Sequence, residues 1–348
     1  MSLQLSEKDV EEFFWNARER HSIYLRRRAG LPRPWTTDPV MGQYRITNVY
    51  RELDKTTVWF RENVRDPLRD KPEVLLATVL FRWFNTIRTG ETLFKQTLIG
   101  SGQTPWEAYL STDSTDAMHD ALRTQGAPWV TGAYMIRSPE GMDKLNGILH
   151  SFDQFAKSTR PHSRNGKANW NWKDMSSLCL GLRDEGSDAV SLEWVWGWLK
   201  QFYGQGAFLA YEVVTDLRFT ALLDKAPDIM TWANPGPGAL RGANILLGRL
   251  ERGRKGRLEK SSVSEAHHVM AQLLELSKDI RYWPQEQEDG SLPAIASKHL
   301  DQIGDVLTDA KPGDWPSWEM REPEMQLCEH TKIVRTRHGF GRPRGTYA

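Results

Sequence analysis

Apolar residues recur at three- and four-residue intervals through most of the chain, a spacing that predicts helices rather than strands. Phe13, Phe14, Ala17 and His21 share one face of a first segment, which begins near Ser6 and Asp9 and ends in Arg26-Arg27-Arg28. From Asn48 onward Val49, Leu53, Phe60 and Val64 form an apolar stripe, with Asn48, Arg51, Glu52 and Lys55 opposite it and Thr47 placed to cap. Pro72 to Arg88 is apolar nearly all round, so it should be a buried central helix. Within it Arg82 and Asn85 need partners, because a buried guanidinium is costly unless a carboxylate or a ligand anion meets it. Leu192, Val195, Trp196 and Leu199, then Ala207, Ala210, Tyr211, Val214 and Leu217, are two helical runs separated by a turn holding Gly204-Gln205-Gly206. Helix resumes at Ala239, and Ser264 to Ser277 and Leu292 to Leu307 add two more.

The breaks between these runs are as informative. Gly30-Leu31-Pro32-Arg33-Pro34-Trp35 cannot continue a helix, since proline lacks the amide and pushes its predecessor to extended forms. Gly126 to Tyr134 reads as a turn into a short extended piece, and the polar, basic, aperiodic Ser158 to Asn171 as a loop or arm. Two Pro-Gly steps make Ala226 to Gly242 a rigid loop leading into a helix. Arg249 to Lys260 is basic and expected in solvent, and the basic tail from Leu327 to Tyr347 can be a disordered end. In the Gly204 to Gly206 turn, glycine permits positive φ and removes the Cβ that would hold another backbone away. A helix start just after such a turn points unpaired amides outward, which suits a DNA phosphate; an ordinary helix turn has the same pattern.

Composition narrows the partner classes. With 46 Lys and Arg against 45 Asp and Glu in 348 residues there is no global basic field, so nucleic-acid binding has to come from a local patch. Fifteen Trp must pack helices or line a surface for flat ligands. Two cysteines, Cys179 and Cys328, far apart and without a partner motif, fit a reducing compartment. The most apolar run, Val74 to Leu80, is too short for a bilayer, and the expectation is a cytoplasmic protein. The adjacent His267 and His268 fall on different helix faces, so no metal site is expected. No GxxxxGK[ST] loop occurs, nor GxSxG, HExxH or CxxC, which leaves carboxylates and basic groups as the chemistry. The densest polar stretch, Thr36 to Thr57, mixes Asn48, Arg51 and Glu52 with Tyr44, Arg45 and Tyr50, more like a cleft wall than a solvated Lys/Glu face.

Pro34-Trp35-Thr36-Thr37-Asp38-Pro39, Arg45-Ile46-Thr47-Asn48-Val49-Tyr50-Arg51-Glu52-Leu53-Asp54, the hairpin, Pro235 to Gly242 and Leu327-Cys328-Glu329 with the basic tail together resemble the helical domain associated with phage 5-hydroxymethyluracil DNA kinases. Amino acid:DNA transferases, the alpha-glutamyl/putrescinyl-thymine pyrophosphorylases, are related to that domain, which is in turn similar to helix-hairpin-helix DNA glycosylases. The resemblance implies an all-α protein with two helical lobes and an interlobe cleft, residues 1–175 completed by 290–348 forming one lobe and 176–289 the hairpin lobe. It implies a monomer that binds double-stranded DNA carrying modified pyrimidines, requires no cofactor and everts the target base.

On that basis the first expectation is a monofunctional glycosylase for a substituted 5-hydroxymethylpyrimidine. Such an enzyme needs a carboxylate to stabilise oxocarbenium character and activate water, and Asp38, Glu52, Asp54, Asp216 and Asp228 are the candidates. Trp35, Tyr44, Arg45, Asn48, Arg51, Arg82 and Arg241 would hold the base or its substituent, and Gly204, Gln205, Gly206, Ala207, Arg342 and Arg344 the DNA backbone. Two positions depart from the glycosylase pattern: Phe208 stands where bifunctional enzymes carry lysine, and no carboxylate adjoins Asn234-Pro235-Gly236. The alternatives are an amino acid:DNA transferase that displaces pyrophosphate, and a non-catalytic DNA-binding partner of a hydroxymethyluracil DNA kinase.

Overall fold

The computed structural model describes residues 3–132, 137–158, 171–181, 189–250, 258–279, 317–343 and 345–347. The described residues form α-helices joined by turns, with no strand beyond one isolated antiparallel bridge between Tyr44 and Thr346. The fold class is therefore all-α, as the helical periodicity implies. The loop expected over residues 159–170, the basic run 251–257, the helix expected over 292–307, and Tyr134 and Arg344 lie outside the described residues.

The chain divides into two compact units, Met1–Asp54 with Met230–Ala348, and Lys55–Ile229. These boundaries differ from the 175/176 and 289/290 positions expected from the sequence. The reason is packing: helix α11 (Ala207–Leu217) lies along α4 (Glu73–Phe84) and stays with it, while α12 (Pro237–Leu246) and α13 (Val263–Leu276) pack on α14 (Arg321–Arg337).

In the first unit α1 (Glu7–Arg28) has Glu7 and Asp9 in its first turn and Arg26, Arg27 and Arg28 in its last, both complementing the helix dipole. It buries Val10, Phe13, Phe14, Ala17, Ile23 and Leu25. The short α2 (Pro39–Gln43) starts at Asp38, whose carboxylate accepts the Met41 amide at 2.7 Å. The last helix, α14, is no frayed end: it buries Leu327, Ile333 and Val334 together with Glu322, Gln326, Glu329 and His330. It crosses α12 so closely that a Cβ at Gly242 would sit 2.5 Å from the Leu327 carbonyl oxygen. Beyond it the chain returns to pair with residues 43–45, the Arg45 amide donating to Gly345 O at 2.9 Å and the Tyr347 amide to Gln43 O at 3.1 Å.

The helix expected from Asn48 does not form there. The Asn48 amide donates to Asp54 Oδ1 at 3.4 Å and its Nδ2 to Leu53 O at 3.0 Å, closing a loop that contains one 3-10 turn, Arg51–Leu53. Asn and Asp side chains offer the backbone an alternative to helical pairing, and here it prevails. Thr47 caps nothing; its carbonyl accepts Arg20 Nε at 3.1 Å. Helix α3 (Lys55–Phe60) starts seven residues later than Asn48 and runs into a π turn at Arg61–Arg65.

In the second unit α4 is buried along nearly its whole circumference, from Val74 to Phe84, and Asn85 ends it in the left-handed region at φ 51°. Around α4 lie α5 (Ile87–Phe94), α8 (Lys144–Lys157), α9 (Trp172–Gly181) and α11, with α6 (Pro105–Thr112) and α7 (Asp116–Gln125) packed on α5 and α10 (Leu192–Leu199) packed on α11.

Candidate functional site

The hairpin of the second unit is α10, a turn and α11. Apolar spacing on both helices buries Leu192, Val195, Trp198 and Leu199 on one side and Leu209, Ala210, Val213 and Val214 on the other, and the turn between them is part buried and part exposed. Gly204 adopts φ +81°, a conformation that favours glycine, and a Cβ there would lie 3.3 Å from the Trp83 ring, a tight contact. Gly206 is the N-cap of α11 with an ordinary φ of −61° and ψ of 167°, and nothing stands within 4 Å of a Cβ placed on it. No side chain caps α11, and Gly206, Ala207 and Phe208 are exposed. Gln205 between the glycines is buried; its backbone N–H donates to Phe202 O at 3.2 Å, and its side-chain amide has no hydrogen-bond partner among the described residues. Tyr203 and Phe208 are each more than half exposed and flank the turn. The turn thus brings the start of α11 and two flat rings to the surface, a setting suited to an anion on a nucleic-acid strand.

Arg82 and Asp216 meet inside the same unit. Both are buried, Arg82 NH2 donates to Asp216 Oδ1 at 2.7 Å, and Nε donates to the other carboxylate oxygen. Asn85 Oδ1 takes Arg82 NH1 at 2.8 Å and Thr57 Oγ1 takes NH2 at 3.4 Å. The guanidinium is satisfied by protein, so this pair fastens α4 to α11. Asp228 accepts the amides of Leu192 and Glu193 at 2.7 and 2.9 Å, a capping role at the start of α10.

The first unit holds the polar stretch from Arg45 to Asp54 against α1 and α14. Arg20 of α1 reaches the Thr47 and Asn48 carbonyls, and Gln326 of α14 donates to Val49 O at 2.6 Å. Glu52 is fully buried, with Arg321 4.0 Å away. Burial raises the Asp54 carboxyl to about 7, with the Asn48 amide and Arg51 opposing and Glu329 reinforcing. Burial opposes ionisation of Glu329 as well, yet Lys332, Arg20 and a Thr47 hydrogen bond hold it below the usual carboxylate range. Arg20 is lowered to about 10 by burial, against the pull of Glu329 and Asp54. Burial and neighbouring guanidiniums keep His21 and His330 neutral, each lowered to about 3. The array can exchange a proton near neutrality at Asp54, and its carboxylates and guanidiniums largely neutralise one another.

The remaining sequence candidates are scattered through this unit. Asp38, besides capping α2, accepts Arg337 NH2 at 2.8 Å on the wall of an open groove of about 870 Å³ shared with Glu12, Trp15 and Arg18. Tyr44 is a core residue, packed with Ile23, Val40, Met41 and Ile333. Trp35 is half-buried against that cluster, and Arg45 is exposed. Arg241 donates to Leu258 O and Pro237 O at 3.2 and 2.9 Å, pinning the start of α12. Arg342 is exposed. Among the described residues no three of His, Cys, Asp and Glu are arranged to hold a metal ion, and no helix is long and apolar enough to cross a membrane.

Sequence reasoning missed the partners Arg20, Arg321 and Glu322 and the Asn16–His330 pair, 2.9 Å apart, and named His21 and Glu329 without their role. The one signal available was that α14 carries charge on every face, which a solvated surface helix does without consequence and a buried one does only with partners.

A family model described as 5-hmdU DNA kinase, helical domain, matches residues 7–340. A curated relative from Bacillus phage SP10, named 5-hmdU DNA kinase, is 28% identical over 255 residues, which are 68% of this chain and 36% of the relative. The match therefore spans little more than a third of that relative's length. No solved structure matches. These findings overturn the expectation of a glycosylase: the family and the relative are named for a DNA kinase, and base excision, hydrolysis and base eversion have no support in either. The geometry agrees for three of the proposed catalytic carboxylates, since Asp38, Asp216 and Asp228 are occupied by helix amides or buried guanidinium. The chain belongs to the family of the 5-hmdU DNA kinase helical domain.

Proposed function

We propose that this protein is a non-catalytic, DNA-holding module that works with a 5-hydroxymethyluracil DNA kinase. It presents double-stranded DNA containing the modified pyrimidine to a kinase domain, acting in the cytoplasm as a monomer. The observation that carries the reading is the α10–α11 hairpin: a helix start at the surface with no side-chain cap, open space at Gly206 and the exposed rings of Tyr203 and Phe208. Amides at a helix start with its positive dipole end hold a phosphate without reading bases, as a module that positions DNA for another catalyst requires. Phosphoryl transfer is assigned to the kinase domain, since this sequence has no GxxxxGK[ST] loop.

The test is Gly206→Glu. Its φ suits any residue and its side chain would enter open space, so the variant folds while placing a negative charge where the phosphate sits. Fluorescence anisotropy with duplexes containing thymine or 5-hydroxymethyluracil should show binding by the wild type and at least ~10-fold weaker binding by the variant, from the loss of a helix-terminus contact and added repulsion. Equal affinity of the two proteins would refute the assignment. In a coupled assay with ATP, this chain should raise the rate of a kinase domain on hydroxymethyluracil DNA and phosphorylate nothing alone.

A further inference from the structure

Three arginines from separate parts of the first unit converge on two aromatic rings. The guanidinium carbons of Arg27, Arg33 and Arg45 lie 5.3, 5.1 and 5.9 Å from the centroid of the Tyr347 ring, and those of Arg27 and Arg33 lie 5.3 and 4.7 Å from that of Trp35. Trp35 and Tyr347 meet edge to face, with centroids 5.3 Å apart. All three arginines are exposed, and none pairs with a carboxylate among the described residues. By contrast the neighbouring Arg26 is tied to Glu19 and to the Trp35 carbonyl. Three like charges gathered on one ring repel one another, an arrangement favoured when an anion completes it.

The rings are fixed in place. Trp35 Nε1 donates to Leu31 O at 2.8 Å, and the antiparallel pairing of residues 43–45 with 345–347 holds Tyr347. A ring contacts a guanidinium through its flat face and leaves the in-plane N–H donors directed outward, the donors that grip a phosphate two at a time. Holding three side chains extended beforehand also reduces the ordering cost of binding.

We propose that Arg27, Arg33 and Arg45, mounted on Trp35 and Tyr347, form a phosphodiester-binding site of the first unit, separate from the hairpin and contacting successive phosphates of a DNA strand. The inference rests on the reading of the chain as a DNA-holding module, and it reassigns Arg45 from the base to the backbone. The sequence offers the Arg26-Arg27-Arg28 run as a phosphate contact but could not show this convergence, because the residues come from positions 27, 33, 35, 45 and 347.

The experiment measures DNA affinity by anisotropy over a series of salt concentrations, for the wild type, Arg27→Gln/Arg33→Gln/Arg45→Gln, the corresponding triple lysine variant, and Gly206→Glu. Since each phosphate contact contributes about 0.9 to the slope of log K against log salt on B-DNA, the triple glutamine variant should lose roughly 2 to 3 in slope and ~10-fold or more in affinity. The triple lysine variant should keep the slope and bind more weakly than wild type, having charge without the planar fork. Circular dichroism and the urea midpoint should match the wild type for both, as the replaced heads are in solvent. If the triple glutamine variant retains the wild-type slope while Gly206→Glu binds weakly, the arginine site is refuted and the DNA-holding reading stands. If the wild type itself binds no duplex, both are refuted together.

Discussion

Replacing Asp216 by Asn should destabilise the protein more than any exposed substitution in the second unit. The carboxylate is fully buried and takes two donors from Arg82, itself 2% exposed beside the stacked rings of Phe60 and Phe81. Asparagine keeps the volume but removes the charge and turns one acceptor into a donor facing the guanidinium. Arg82 would keep Asn85 and Thr57 as acceptors, so a positive charge would remain buried with neutral partners only. Breaking such a pair from one side costs about 3–5 kcal/mol. For a unit spanning Lys55–Ile229 this corresponds to a fall in Tm of roughly 6–20 °C. Urea unfolding followed by tryptophan fluorescence measures it. The double variant Arg82→Met/Asp216→Leu, which replaces the pair by apolar groups, should recover all but about 1–2 kcal/mol of that loss. DNA affinity per folded molecule should be unchanged in both. An Asp216→Asn variant within about 1 kcal/mol of wild type, or a double variant no better than the single, would refute the idea that this pair fastens α4 to α11.

Asp54→Asn should alter the pH dependence of stability: because burial raises the folded-state carboxyl to about 7, the fold keeps a proton that the unfolded chain releases, and stability falls as pH rises from about 4 through 7. The variant should lose that slope of up to ~1.4 kcal/mol per pH unit and be more stable than wild type by ~2–4 kcal/mol at pH 8; urea titrations at pH 5 and 8 check it, and parallel curves would refute it. His21 and His330 act in the opposite sense: buried neutral, they bind protons only in the unfolded chain between about pH 6.5 and 3, so their contribution is lost as pH falls through that window. Gly242→Ala should destabilise the first unit by at least ~2 kcal/mol, since its Cβ would meet the Leu327 backbone and the helices would have to separate; an unchanged urea midpoint would refute this close crossing. Gly204→Ala should cost about 1–2 kcal/mol from its left-handed φ, whereas Gly206→Ala should cost less, from the poorer N-cap alone, and thermal melts of the two compare them directly.

Much of the helical framework is legible in the order of residues. The run from Pro72 to Arg88 has no polar face, so a helix there can only be central, and α4 is. The need of Arg82 for a partner follows from the same run, but the partner lies 134 residues away, and only the packing of α11 on α4 identifies it as Asp216. Gly204 announces a turn through its missing side chain, while the close approach of the Trp83 ring to it is a tertiary fact. The helix expected from Asn48 fails because periodicity cannot weigh side-chain bonds, here from Asn48 and Asp54, that close a loop first. The tail reads as a basic end because its composition is polar, and becomes a buried helix because α1, α12 and residues 45–54 supply what its charges need. Sequence by itself determined where most helices start, stop and turn, the Asn48 segment and the tail excepted, since those follow from neighbours within a few residues. Tertiary structure alone decided which charges are satisfied and which remain open, because a guanidinium's role depends on what stands within a few ångströms of it, and the chain brings those groups from distant positions.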